Sequence, residues 1–313
     1  MISRRHIRIK VMQSLYSYFT LREYDRIEIE KNMIKSIESV KDLHKLFLSI
    51  LMLLRNYAKD QIETNKLKHL PTIDDLDPNR KFINNRVIEL LISDDFFRQK
   101  NNRSIRMLVN NDLDLIRRMY VEIIKSPEYS DYLLDEEDTF ELDKSFIKLI
   151  LNNFIFDNEF LHQIIKEHNI YWMDDLPFVS IFLNNQISFL KNKNTSHILK
   201  SSFKNIEDKN FAISLFRSTI QNYDEFNNLV KDYSKNWDLD RIANMDILLI
   251  NMALTEIVSF NEMPVNVSFN EYIEISKYYS TKNSKVFING MLDKIVNNFK
   301  RNNRIHKQGR GLL

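Results

Sequence analysis

The chain of 313 residues has no cysteine, three glycines and five prolines. Without cysteine there is neither a disulfide nor a thiolate metal site, and a reducing, intracellular location fits. Glycine and proline together make 8 residues, where an average chain carries roughly 12%. That scarcity weighs against β-sandwiches, Rossmann folds and glycine-cradled phosphate sites, and it favours long helices joined by short polar loops. Long apolar runs are missing too: residues 47–54 are the longest and include Ser49, while a membrane span needs about 20 residues. No secretory apolar segment follows the N-terminus. The expectation is a soluble all-α protein.

What is present is an uneven charge. The formal net charge is +2. Residues 1–10 carry Arg4, Arg5, Arg8 and Lys10 with no acid, and residues 300–313 carry Lys300, Arg301, Arg304, Lys307 and Arg310 with no acid. These ends are +4 and +5, which leaves −7 for residues 11–299. Two basic ends on an acidic body suggest a polyanion met at the ends; solvated termini are the equal alternative. The acidic run 135–138 reads as a solvated loop. The seven histidines show no ligand spacing, His162 and His168 being six apart, and no nucleophile elbow exists because its glycines are missing. No catalytic residue, metal or cofactor is implied.

Residues 3–21 form a basic amphipathic helix with Ser3 as N-cap. Ile7, Val11, Met12, Leu15, Tyr18 and Phe19 cover one face, and Arg5, Ile9, Gln13 and Tyr16 lie on the opposite side. Arginine, an amide and an exposed ring on one face suit RNA, with guanidinium for phosphate and ring for base. A solvated face and a mitochondrial transit peptide are the competing readings. Helices follow at 25–67, with a break near Val40-Lys41, and at 80–92, 104–125, 142–156, 157–168 and 178–191. A polar loop runs between Pro71 and Pro78, and no internal repeat occurs.

From about residue 206 the apolar pattern tightens. Phe211, Leu215 and Ile220, then Phe226, Leu229, Val230 and Tyr233, mark two helices, and Trp237-Asp238 opens the next element. Residues 247–254 are apolar almost all round, which belongs in the middle of a bundle. Asp246 beside them reads as structural, with Arg241 or a helix N-terminus as its partner. Residues 268–294 predict two helices joined by a polar turn. The first has Ser268 as N-cap and Glu271 completing a capping box. The second carries Ile288, Met291, Leu292, Ile295 and Phe299 on one side. Gly290 inside it costs about 1 kcal/mol against alanine, so it predicts a close approach of another backbone.

Four features in order resemble the NusB transcription antitermination family: the basic first helix with Gln13 and Leu15-Tyr16; Arg241…Asp246; Asn270-Glu271 with Lys277; and Ser284…Phe287-Ile288-Asn289-Gly290…Leu292-Asp293-Lys294. The closing KQGRGLL is similar to a long, Bacteroidota-type form with a central insertion. The resemblance implies packed helical bundles without enzymatic activity, binding boxA-type single-stranded RNA together with NusE, a small-subunit ribosomal protein. That complex would join the elongating RNA polymerase, chiefly on ribosomal RNA operons, which places the protein in the cytoplasm. Matched position by position, the RNA face would comprise Arg4, Arg5, Arg8, Gln13, Tyr16, Lys277, Asn283, Ser284, Lys285 and Phe287. Asn270, Glu271, Asn289 and Gly290 would make turns and close helix packing. The transit-peptide reading falls, since the first helix is itself a family element.

The domain reading is therefore 3–21 as the first NusB-type helix, 22–205 as a helical insertion and 206–299 as the C-terminal helical domain, with 300–313 a disordered basic tail. The turn at Ser280–Asn283 departs from the glycine or acid common in the family, which alters the charge near the RNA. Two other classes compete. NusB-like domains fused to ribosomal RNA cytosine methyltransferases need a glycine-rich loop and a cysteine, both missing here. A non-RNA-binding helical scaffold on the same fold remains as the alternative.

Overall fold

The structure is a computed structural model that describes residues 2–20, 25–93, 113–191, 201–234 and 242–308. These residues form thirteen α-helices and no strand. In chain order they are α1 (Arg4–Thr20), α2 (Arg26–Lys66), α3 (Ile73–Leu76), α4 (Arg86–Ile92), α5 (Leu113–Lys125) and α6 (Pro127–Leu134). Next come α7 (Phe140–Ile150), which runs on as a π-helical turn over Leu151–Phe156, α8 (Glu159–His168) and α9 (Leu176–Ser188). The last four are α10 (Ile206–Tyr233), α11 (Asn244–Ser259), α12 (Val265–Tyr279) and α13 (Ser284–Arg301). No helix among the described residues is long and apolar enough to cross a membrane. The all-α expectation holds.

Two compact units divide the chain: Met1–Ile37 with Phe203–Leu313, and Glu38–Ser202. In the first unit α11 is central, packing against α1, α10, α12 and α13. Its residues from Leu248 to Ile257 are all buried, as a helix apolar all round requires. α1 docks through Ile7, Val11, Met12 and Leu15, which are fully buried, and Ser3 caps it by accepting from the His6 amide at 3.2 Å. Its aromatic end is closed by Phe19 stacked on Tyr223 at 3.8 Å.

The second unit has its own core. Phe146 stacks on Tyr132 at 3.8 Å and meets Phe82 edge-on. Asp143 is buried beneath them and accepts from Tyr132 Oη at 2.7 Å and from Arg86 Nε at 2.7 Å.

Several local expectations are corrected. α2 is one unbroken helix through Val40-Lys41, and α10 is one helix where two were expected. The polar loop after Pro71 contains the short helix α3, because Thr72 and Asp75 form a reciprocal capping box. Ser268 is no N-cap: α12 starts a turn earlier, after Pro264, and Ser268 is buried within it. The close approach expected at Gly290 is absent, for a Cβ built there meets nothing within 4 Å. The expected disordered tail is folded as far as 308, since Arg304 pairs with Glu225 and covers Phe226 and Phe299. Lys307 Nζ donates to the Phe260 carbonyl at 2.9 Å. Trp237-Asp238, Arg241, residues 104–112 and the tail beyond 308, with Arg310, lie outside the described residues.

Candidate nucleic-acid interface

The candidate interface starts from α1, whose buried face fixes which side chains look outward. Arg5 and Tyr16 are exposed, and Ile9 and Gln13 are half-buried between them. Arg5 is not bare. Its Nε and Nη2 both donate to Glu271 of α12 at 2.8 Å, and those hydrogen bonds raise its pKa above the usual arginine value. Arg4, half-exposed, donates to Asp208 of α10 at 3.0 Å and lies over the Phe211 ring.

Arg8 has a different post. Its side chain is 2% exposed, and it grips the wholly buried Glu256 of α11 through Nε at 2.7 Å and Nη2 at 2.6 Å. Ser268 Oγ at 2.7 Å and Tyr272 Oη at 2.9 Å complete the carboxylate's shell. Burial pulls the guanidinium down, but hydrogen bonding to Glu256 and its charge outweigh this and hold the pKa up. Burial, with the Glu256 charge, keeps the Tyr272 phenol well above its ordinary value. The node ties α1, α11 and α12 together; Arg8 is a tie between helices rather than a phosphate contact. Lys10 is buried as well, so the basic end presents Arg4 and Arg5.

The turn between α12 and α13 supplies the rest. Asp246 at the start of α11 accepts from Ser280 Oγ at 2.5 Å and from Ser284 Oγ at 2.8 Å. The Ser284 oxygen also accepts from the Thr281 amide at 3.0 Å. Ser284 is thus buried in a clasp under the turn, and among the described residues this pair of hydroxyls partners Asp246. Phe287 is buried too, in the packed side of α13 with Ile288 and Met291. Neither faces solvent as expected, because both point along the stripe that packs α13. Lys277, Asn283 and Lys285 are exposed.

Three helices bring cations to one carboxylate. Glu274 is held below the usual carboxylate range first by its hydrogen bond from Lys277, then by the charges of Lys277, Arg5 and Lys285. A residue that sequence reasoning missed stands beside them: Tyr278 is 83% exposed. Its signal was present, since it falls off the Tyr272, Ile275 and Tyr279 stripe that marks the buried side.

The NusB family model matches residues 179–297. A Transcription antitermination protein NusB of Natranaerobius thermophilus is 32% identical over 96 residues, which span 31% of this chain and 67% of that relative. The chain belongs to the NusB family. Two further relatives of the same name come from Salinibacter ruber, 41% identical over 105 residues (34% of this chain, 66% of the relative), and Chloroherpeton thalassium, 39% over 108 residues (34% and 51%). The chain thus spans between about half and two thirds of these relatives' own length. No solved structure matches it. The NusB match begins within α9 and runs through α10, α11 and α12 into α13, hence over α11 with its Glu256 and Asp246 nodes and the turn that follows α12.

Proposed function

We propose that this NusB-family chain is a non-enzymatic transcription antitermination factor acting in the cytoplasm. It binds boxA-type single-stranded RNA together with NusE and joins the elongating RNA polymerase complex, chiefly on ribosomal RNA operons. The observation that carries the reading is a set of cations from three separate helices, Arg5 paired with Glu271, Lys277 paired with Glu274, and the exposed Lys285, whose charges all act on Glu274. In this reading Arg4, Arg5, Lys277 and Lys285 neutralise phosphates, Gln13 and Asn283 offer amide hydrogen bonds, and Tyr16 and Tyr278 stack on bases. Residues 3–21 and 206–299 carry this activity, and no part of it is assigned to the insertion 22–205. Arg8, Ser284 and Phe287 contribute by holding the helices that present the others.

The intramolecular pairs favour a second reading. Arg4, Arg5 and Lys277 each already hold a carboxylate, which suits a helical protein-interaction scaffold that leaves RNA alone. Titration of a labelled boxA-like strand over a salt series, with and without NusE, separates the two. RNA binding predicts preference over a scrambled strand when NusE is present, and Arg5→Ala should flatten the log–log salt slope by about 0.7. Equal binding of boxA and scrambled strands would favour the scaffold.

A further inference from the structure

The second unit carries a surface that its own fold leaves bare. Within ten residues, Leu67, Leu70, Ile73 and Leu76 are 86%, 86%, 84% and 59% exposed. Single exposed aliphatics are ordinary, but four so close in the chain mark an interaction surface. Polar contacts order the segment. Leu67 N donates to the Thr64 carbonyl at 3.1 Å, Thr72 and Asp75 cap α3 reciprocally, and Lys68 Nζ binds Asp75 Oδ1 at 2.8 Å. That ion pair ties the turn bearing Leu67 and Leu70 to the helix bearing Ile73 and Leu76.

The charge around these side chains is mixed but leans acidic. The nearby cations are engaged: Lys66 with Glu63, Lys68 with Asp75, and Arg80 with Glu63. Asp74 and Asp77 stay exposed, with no ion pair among the described residues. The whole unit Glu38–Ser202 has 22 Lys and Arg against 26 Asp and Glu, a net −4. A cluster of exposed aliphatics within ten residues, with the unpaired acids Asp74 and Asp77 among them, complements a helix with an apolar stripe and a cationic flank.

We propose that residues 67–76 dock a basic amphipathic helix of another protein, with its apolar stripe on the four aliphatics and its cations on Asp74 and Asp77. The test is fluorescence anisotropy of the full chain with two synthetic helices sharing one leucine stripe, flanked by lysine in one and glutamate in the other. The lysine helix should bind and the glutamate helix should not. Leu70→Glu with Ile73→Glu should weaken binding at least tenfold. Asp74→Asn with Asp77→Asn should weaken it several-fold and remove most of its salt dependence. The replaced side chains are exposed, so thermal melting should be unchanged; if it drops, Leu70→Ser repeats the comparison. Equal binding of the two helices, or binding that survives the changes at 70 and 73, overturns the proposal. So does concentration-dependent self-association of the chain that the same changes abolish, which assigns the surface to a second copy.

Discussion

Each unit buries a carboxylate where three elements meet, and the two are held differently. Glu256 has all four of its hydrogen bonds inside the first unit, and its cation Arg8 is as dry as itself. Asp143 in the second unit shares Arg86 with the exposed Asp138, and that guanidinium is a third exposed. A dry pair is costly to break because a stranded charge has no water to turn to, whereas a half-wet pair rehydrates. The first unit is therefore fastened by chemistry at its centre. The second depends more on its aromatic packing.

Removing the cations in turn sharpens this contrast. Arg8→Ala should cost about 3–5 kcal/mol, because it leaves Glu256 buried without a counter-charge. Urea unfolding followed by circular dichroism measures it, and a cost near that of a surface change would mean the node is wet. The next largest effect is the pH dependence that His44 contributes in the second unit. His44 is buried against Phe182 with Nε2 on Gln186 at 2.9 Å, and burial pushes it down to about 4. The folded chain keeps it neutral while the unfolded chain takes a proton near pH 6.5. Its contribution is thus complete above pH 6.5 and is lost as pH falls towards 4, by up to about 3 kcal/mol. Unfolding monitored by Trp172, buried in the same unit, should show this slope between pH 6.5 and 4, and His44→Gln should remove it.

Arg86→Ala comes third, at about 1–2 kcal/mol, since Asp143 keeps its hydrogen bond from Tyr132. A cost equal to that of Arg8→Ala would erase the contrast between the units. The smallest change has the opposite sign. Gly290 sits in a helix with open space where its side chain would be, so Gly290→Ala should stabilise by about 0.5–1 kcal/mol. Thermal melting would reveal it, and a loss of stability would mean that α13 needs the glycine.

What could be read from residues alone followed period and chemistry. Helix α1, the central α11 and the α12–α13 pair were legible because their apolar residues recur at helical spacing and Asp246 stands out among apolar neighbours. The errors have a common cause. Helix ends and breaks depend on caps: Ser268 looks like a cap, but Pro264 starts the helix first and frees the serine for Glu256. At the interface, Arg8, Ser284 and Phe287 are residue types that bind RNA well, and nothing local distinguishes an arginine facing phosphate from one facing a buried glutamate. That distinction is set by Glu256, 248 residues away in the chain. The exposed Tyr278 was overlooked because rings read as core by default.

The clasp under the turn from Ser280 to Ser284 has a consequence of its own. Asp246 holds both hydroxyls from below, so the backbone bearing Asn283 and Lys285 is fixed before anything arrives. On the proposed function, an RNA strand bound there would surrender its own freedom but need not immobilise the surface as well. The same carboxylate, a core oddity at the head of an apolar helix, would thus act as a keel, setting how little entropy such binding consumes.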